Sequence, residues 1–296
     1  MAAGSTLPRR ALGRRIRGLR ERNNMSQAAA ARIVETSPQS YGRMEDGRVT
    51  RVTDLGINAL ANAFKVDDDE RRLLLDLAQE IRQTQKSDGS LWRAHADVIP
   101  KAFDHYLALE QAARRIFSWQ TMFVPGLLQT REYRRALVWA EFPDMPPEEV
   151  EHILDLVMRR QDLLTNNNFQ FETILTEAVV RYVVSGPAVS TDQLRHILEV
   201  SEMPNVSVRI VRFDARIPVA LITRSPFVMC EFPPLPTSKL IEPPVVYIEG
   251  FAGDLYLERD IEVARYADVA QSLAQVALPE AASRDLVLTA MKERMK

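Results

Sequence analysis

Residues 26–48 read SQAAAARIVETSPQSYGRMEDGR, and this stretch decides the fold of the first part of the chain. Ser26 is placed to cap a short alanine-rich helix. Ser37 and Pro38 have the residue types of an N-cap and a first helical position, and Gly47 marks the end of the helix that they open. Two short helices joined by a tight turn are the pattern of a helix-turn-helix.

The second helix of this pair is predicted to present a polar outer face. Tyr41 and Met44, spaced i and i+3, can pin the helix to a core, which leaves Gln39 and Arg43 together on the outward side. Glutamine can pair bidentately with adenine, and arginine with guanine, in the major groove of DNA. Ser40 lies beside them and can reach a base or a phosphate. The pattern therefore predicts a recognition helix for double-stranded operator DNA.

Further polar residues are expected to contact the DNA backbone around this helix. Gln27 opens the preceding helix, where free backbone amides also favour a phosphate. A five-helix bundle that serves only protein contacts is the alternative reading of the same pattern. The complete predicted DNA-binding set is Gln27, Ser37, Gln39, Ser40, Arg43, Arg48 and Arg51.

Charge is distributed unevenly along the 296 residues. Residues 1–54 contain 11 arginines and no lysine against 5 acidic residues, whereas the whole chain has a net charge of −2. A basic first fifth on an acidic body is typical of a phosphate-binding module joined to a module that does not bind DNA.

Apolar residues at helical spacing continue on both sides of the helix pair, up to about residue 85. The polar stretch QTQKSDGS at 83–90 then favours a domain boundary. We predict a helix-turn-helix DNA-binding domain at 1–85, a linker at 86–99 and a regulatory, partner-binding domain at 100–296.

Helical periods alternate with short apolar runs in the second domain, and proline-rich loops bound the runs. The helical periods cover 100–118, 130–140, 147–165, 190–201, 258–276 and 280–294. The strand-like runs are Phe169–Leu175, Val206–Arg212, Phe227–Phe232 and Val245–Glu249. The chain is thus predicted to be mainly α, with an N-terminal five-helix domain followed by an α+β domain whose sheet is antiparallel or mixed.

Residues 12–80 resemble the Xre-type (phage-repressor-like) five-helix DNA-binding domains. The resemblance implies that Arg20 and Glu45 form a buried ion pair between the first and third helices, which is a structural role. Glu35 departs from the pattern, because related domains usually place glycine at this turn, where φ is positive. Gly42, inside the recognition helix, is unusual as well. The resemblance is carried by Arg20, Ser26, Gln27, Ala31, Ser37, Gln39, Ser40, Arg43 and Met44 to Arg48.

Residues 100–290 resemble the C-terminal domain of actinobacterial WhiJ-like regulators. Members of that family look like antitoxin-type repressors, often encoded beside a small partner protein, so the resemblance implies such a partner here. A ligand-gated sensor, whose second domain binds a small molecule, is the alternative. The resemblance is carried by Tyr106 to Glu110, Val124 to Thr130, Arg159 to Gln161, Glu177, Gln193-Leu194, Pro204 to Val206, Val245 to Glu249 and Tyr256-Leu257.

The remaining patterns disfavour catalysis and membrane insertion. The four histidines lack metal-ligand spacing, and there is no phosphate-binding glycine loop, so no enzyme activity, cofactor or metal is expected. No apolar run is long enough to cross a membrane, and a cytoplasmic protein is expected, associated with the nucleoid when bound to DNA. A homodimer is expected, because a single helix-turn-helix buries too little surface for tight specific binding.

Overall fold

The computed structural model describes residues 6–48, 50–87, 101–216, 221, 225–250 and 253–294. These residues form two compact units, neither of which is continuous in sequence. The first takes its described residues from Met1–Ala94, Phe103–Ala112 and Phe232–Glu242, and the second from His95–Ala102, Ala113–Glu231 and Pro243–Lys296. The predicted linker, 86–99, lies outside the described residues from position 88 onward.

The first unit begins with the five helices that the sequence predicts. They are α1 (Thr6–Arg22), α2 (Gln27–Ile33), α3 (Pro38–Glu45), α4 (Asp54–Ala63) and α5 (Asp68–Ser87), and α6 (Lys101–Ala112) contributes the residues from Phe103. The core of the unit is apolar, with Ile16, Tyr41, Leu60, Leu74 and Leu77 at 0% exposure. Burying each of these side chains stabilises the bundle by about 1.5–3 kcal/mol relative to leaving it in water.

Serine caps fix where α2 and α3 begin, as the sequence predicts. The Ser26 hydroxyl accepts a hydrogen bond from the backbone N–H of Ala29, and the Ser37 hydroxyl accepts one from Ser40, both over 3.1 Å. Each bond satisfies an amide that the first turn of a helix leaves without a partner. Gly47 closes α3 in the left-handed region, with φ at +67°.

The turn between α2 and α3 has the backbone geometry that favours glycine, although the residue is Glu35. Its φ is +49°, and the following amide, that of Thr36, donates to the carbonyl of Ala31 over 3.0 Å. The helix therefore ends in the usual left-handed C-terminal motif, and the side chain at this position carries a steric cost.

Glu35→Gly is expected to stabilise the first unit by about 0.5–1 kcal/mol, because glycine adopts positive φ without a Cβ clash. Glu35→Val should destabilise it, since a β-branched residue is strongly disfavoured at this φ. Thermal unfolding of the two full-length variants beside the wild type measures the order. A valine variant as stable as the glycine variant would contradict the reading.

The second unit is built on a mixed six-stranded sheet of order β3-β2-β1-β4-β5-β6. Strand β2 pairs in parallel with β1 and with β3. The pairs β1–β4, β4–β5 and β5–β6 are antiparallel. The sheet confirms the α+β fold and selects the mixed alternative. Its strands are β1 (Arg115–Gln120), β2 (Gln170–Thr176), β3 (Val206–Val211), β4 (Phe227–Glu231), β5 (Val245–Ile248) and β6 (Leu255–Leu257).

Helices cover the sheet and complete the unit. The cluster formed by Phe117, Ile174, Phe227 and Val246 from the strands packs with Leu273 from the penultimate helix. The helices are α7 (Arg131–Glu141), α8 (Pro147–Arg160), α9 (Glu177–Arg181), α10 (Pro187–Val200), α11 (Asp260–Val276) and α12 (Glu280–Arg294), with 3-10 segments at Gly126–Leu128 and Gln161–Thr165.

Three segments differ from the sequence prediction, and one of them is the short helix α9, which lies outside the predicted helical periods. The helical period assigned to 100–118 is wrong beyond Ala112, because Arg115–Gln120 forms the central strand β1. Its four inner residues are all buried, and a strand covered on both faces has no alternating pattern to distinguish it from a buried helix. The three-residue edge strand β6 was not predicted, since it is too short to show a period.

Candidate nucleic-acid interface

Helix α3 separates its residues into a buried side and an exposed side. Tyr41 is fully buried and Met44 is 9% exposed, whereas Gln39 and Arg43 are exposed and Ser40 is half-buried. Burial raises the pKa of the Tyr41 phenol well above its ordinary value. Gln39 and Arg43 are four residues apart, so their side chains project from neighbouring positions on one helix face.

The residues predicted to contact the DNA backbone are all exposed, and they cap α3, follow it in sequence or bond to it. Ser37 uses its hydroxyl as the N-cap of α3, and it is exposed there. Arg48 and Arg51 follow the helix and are exposed as well. Gln27 is exposed at the first position of α2, and its side-chain amide donates to Glu45 over 2.8 Å. The last contact fixes the orientation of the Gln27 side chain.

Gly42 borders the Gln27 side chain. A Cβ on Gly42 would lie 3.4 Å from Gln27 Oε1, which is an ordinary van der Waals distance. Alanine would therefore fit at this position, so space does not explain the glycine.

A network of charged groups joins α1 to the end of α3. Arg20 donates from Nε to Glu45 Oε1 over 2.5 Å and from a terminal nitrogen to Oε2 over 3.1 Å. The Glu45 side chain has no exposed area, and that of Arg20 is 12% exposed. The hydrogen bond with Glu45 raises the pKa of Arg20. Arg20 therefore has a structural role, in the ion pair with Glu45 that the family resemblance implies.

Arg17 also takes part in this network, a role that the pattern of residues 26–48 does not predict. Its Nε lies 3.5 Å from Glu45 Oε2, and a terminal nitrogen bonds Asp46 over 2.5 Å. The signal that could have found it is spacing, because Arg17 and Arg20 lie three residues apart on one face of α1.

Helices α1 and α3 are in close contact at Gly13. A Cβ built there would lie 2.5 Å from the carbonyl oxygen of Met44 and 2.6 Å from that of Glu45. Real Cβ atoms do not approach backbone oxygens so closely, so the packing of the two helices requires glycine. The recognition helix is therefore held by a backbone contact as well as by the ion pairs.

The arginines of α1 account for much of the basic charge in residues 1–54, and their side chains bond within the first unit. The partners are the carbonyls of Arg48 and Thr50 for Arg9, Glu242 for Arg10 and Arg14, Glu70 for Arg15, Glu45 for Arg17 and Arg20, and the carbonyl of Gly18 for Arg22. The exposed arginines nearer α3 are a smaller group, made up of Arg32, Arg43, Arg48 and Arg51. The charge excess of the N-terminal region therefore overstates the charge that faces solvent.

In the second unit, the run Val124 to Thr130 forms a turn held by three glutamines. Gln193 donates to the carbonyl of Leu128 over 2.6 Å and accepts from the amide of Thr130 over 2.8 Å. The other two bonds run from Gln129 to the carbonyl of Val124 over 2.7 Å and from Gln161 to the carbonyl of Gln129 over 2.6 Å. The Arg160 guanidinium lies against Gly126, where a Cβ would be 3.2 Å from two of its nitrogens. These contacts give a structural role to Val124 to Thr130, Arg159 to Gln161 and Gln193, which carry the resemblance to WhiJ-like regulators.

Two other groups of the second unit, Glu177 and Cys230, are of residue types that take part in catalysis. Glu177 bonds Arg181 over 2.8 Å and accepts from the amide of Phe213 over 3.0 Å. Cys230 is a buried thiol on β4. Among the described residues, no group of three histidine, cysteine, aspartate or glutamate side chains is arranged to hold a metal ion. Within the same residues, no helix is both long and apolar enough to span a bilayer.

Two family models match the chain, one over each part. A model described as a helix-turn-helix domain matches residues 11–74, which contain α2, α3 and their turn. A model described as a domain of unknown function (DUF5753) matches residues 103–289. No match was found among the curated proteins or the solved structures. The helix-turn-helix match supports a DNA-binding regulator, and because the second match covers more than half of the chain, this protein belongs to the DUF5753 family.

Proposed function

We propose that this protein is a sequence-specific transcriptional regulator that reads operator DNA in the major groove with α3. The observation that carries the proposal is the division of α3, with Tyr41 and Met44 buried and Gln39 and Arg43 exposed side by side. In this role Gln39, Ser40 and Arg43 read base edges. Such a regulator would act in the cytoplasm, on the nucleoid.

The backbone contacts come from residues at the margins of α3. Gln27, Ser37, Arg48 and Arg51 would bind phosphates, which fixes the register of the helix on the duplex. The bond between Gln27 and Glu45 supports this role, because it holds the glutamine at the start of α2 before DNA arrives. Arg20 and Glu45 keep α1 and α3 together and would make no DNA contact.

Loss of a base contact and loss of a phosphate contact should differ in binding assays. Gln39→Ala is expected to weaken binding to a duplex selected from a random pool by about 1–3 kcal/mol and to relax preference at one base pair. Gln27→Ala should weaken all sequences alike and lower the slope of log affinity against log salt. Fluorescence anisotropy over a salt series measures both effects.

Arg72→Ala is the control for these variants, because Arg72 is an exposed arginine on α5 that pairs with Asp69. It should bind the selected duplex like the wild type. If Gln39→Ala and Gln27→Ala also bound like the wild type, the assignment of this face would be wrong.

The regulator is proposed to bind as a homodimer to a pseudo-palindrome, with half-sites about one helical turn, ~34 Å, apart. The small contact area of one helix-turn-helix supports the dimer. Sedimentation of the chain with its selected duplex gives the stoichiometry directly, and a single copy on DNA would contradict the dimer.

The second domain is proposed to bind a small partner protein that is encoded nearby and that relieves repression, as in an antitoxin-like repressor. The support is the resemblance of residues 100–290 to WhiJ-like regulators. A small-molecule sensor is the second candidate, and one observation favours it. Arg134 Nε is buried without a hydrogen-bond partner among the described residues, and burial together with the charge of Arg160 lowers the pKa of Arg134. Such a donor suits an anionic ligand.

Partner binding should be coupled to DNA binding if the partner relieves repression. The neighbouring gene product is then expected to bind more weakly when operator is present, by the same factor by which it weakens operator binding. Calorimetric titration of the partner with and without duplex measures this factor. Equal affinities would contradict a regulatory partner, and the absence of binding would favour the sensor.

A further inference from the structure

The segment Phe232–Glu242, here called the strap, follows β4 in sequence and leads into β5, yet it belongs to the first unit. Its first anchor is Glu80 on α5, a carboxylate that is only 3% exposed. The Glu80 carboxylate accepts hydrogen bonds from the backbone amides of Thr237 and Ser238, the latter over 2.9 Å, and from the Ser238 hydroxyl over 3.4 Å. A buried carboxylate is therefore satisfied by the backbone of the strap.

The second anchor is Glu242, at the end of the strap, which is 1% exposed. Arg14 on α1 donates to Glu242 Oε1 over 2.6 Å, and the Nε of Arg10 lies 3.8 Å from Oε2. At the other end of the strap, the ring centroid of Phe232 lies 5.8 Å from the Arg10 guanidinium carbon, within range of a cation–π contact. Both ends of the strap thus contact α1.

The part of α1 that holds the strap also contacts α3. Arg10 lies against Gly47, where a Cβ would be 3.0 Å from the Arg10 Cα. One helical turn along from Arg10 and next to Arg14, Gly13 touches the carbonyls of Met44 and Glu45. A shift of α1 at this turn would therefore move the C-terminal end of the recognition helix, because these contacts leave no free space.

We propose that the strap is a coupling device, whose docking on α1 and α5 is thermodynamically linked to DNA binding by α3. Because the strap is continuous with β4 and only Pro243 and Pro244 separate Glu242 from β5, a change in these strands pulls on the anchors. Undocking releases α1 and lowers operator affinity, and by linkage operator binding strengthens docking. The inference rests on the proposed DNA-binding function.

Hydrogen exchange of the full-length chain tests the link without any substitution. The probe is a duplex that the wild type selects from a random pool. Saturating duplex is expected to slow exchange at least threefold in peptides that cover residues 232–242, whose amides at Thr237 and Ser238 report docking at Glu80. Equal exchange in these peptides with and without duplex would overturn the coupling.

Glu80→Ala with Glu70→Ala as its control tests the same link from the other side. Both substitutions remove one carboxylate from α5, and Glu70 pairs with Arg15 on α1, whereas Glu80 holds the strap. Glu80→Ala should accelerate exchange in the strap at least tenfold and weaken duplex binding at least fivefold more than Glu70→Ala does. If Glu80→Ala accelerates exchange in the strap but binds duplex with the same affinity as Glu70→Ala, the proposal is overturned.

The outcomes separate this inference from the proposed function. If Glu80→Ala also accelerates exchange in α2 and α3, the whole unit has loosened, and the wild-type experiment decides. A wild-type chain that selects no duplex would overturn the proposed function and the coupling with it. If the wild type binds duplex but exchange in the strap does not change, the coupling alone is overturned.

Discussion

Gly13→Ala is expected to destabilise the first unit by about 1–3 kcal/mol, the range for overpacking a tight contact. The added Cβ would meet the carbonyl oxygens of Met44 and Glu45 at 2.5 and 2.6 Å, and backbone atoms cannot turn aside as a flexible side chain can. Helices α1 and α3 must then separate. Because α3 is the proposed recognition helix, DNA affinity should fall together with stability.

Gly18→Ala on the same helix is the matched control. A Cβ at Gly18 would have no atom within 4 Å, so the substitution should give only the gain in helix propensity, up to about 1 kcal/mol. The same change at two positions of α1 is thus expected to have opposite signs. Equal effects would show that the close approach of α1 and α3 does not limit stability.

The measurement must follow the first unit specifically. In a Trp92→Phe background the tryptophans are Trp119 and Trp139, both in the second unit, so their fluorescence reports that unit and serves as the internal control. Exchange of backbone amides in α1 and α3 reports the first. A Gly13→Ala chain with faster exchange in these helices and unchanged tryptophan unfolding would localise the damage to the helix-turn-helix.

The sequence predicted the elements whose signals are local. Ser26 and Ser37 each bind an amide three residues ahead, so their function as caps is visible in a short stretch of sequence. The positive φ at Glu35 agrees with what the resemblance to Xre-type domains implies for this turn. The polar and apolar sides of α3 follow from helical spacing. These features need no information about the rest of the chain.

Features that depend on distant residues were not predictable. The sequence around Gly13 does not show that its neighbour is the backbone of α3, about thirty residues away. The strap is a stronger case, because Glu80 and Ser238 are 158 residues apart and neither has a distinctive sequence context. The segment of β1 is predicted as helix for a related reason, since the strand lies inside the sheet between β2 and β4 and its four inner residues are all buried, so it shows no alternation.

The net charge of residues 1–54 overstates the charge that is available to DNA. The excess of arginine in residues 1–54 suggests a surface for phosphates, but Arg10 is buried and pairs with Glu242, an acid that lies far along the chain. Net charge of a segment counts every residue, whereas a phosphate meets only those that face solvent. The proposed DNA surface therefore rests on the exposed residues around α3 and not on the total.

Arg20→Ala is expected to have the largest effect on stability, about 3 kcal/mol, because it leaves the fully buried Glu45 without its closest cation. Gln27 would still donate to Glu45 over 2.8 Å and Arg17 would remain 3.5 Å away, which places the cost at the lower end of the range for breaking a buried pair. Exchange in α1 and α3 of the full-length variant measures the loss.

Two further variants identify the cause. Arg48→Ala removes an exposed arginine beyond α3, so it should leave unfolding nearly unchanged while weakening DNA binding. The double variant Arg20→Ala with Glu45→Ala should be more stable than Arg20→Ala alone, because no carboxylate is then left unpaired inside the unit. If the second substitution instead added its full cost to the first, the stranded charge would not be the cause, and Arg20 would stabilise the unit through packing of its side chain and its 2.9 Å bond to the carbonyl of Met25.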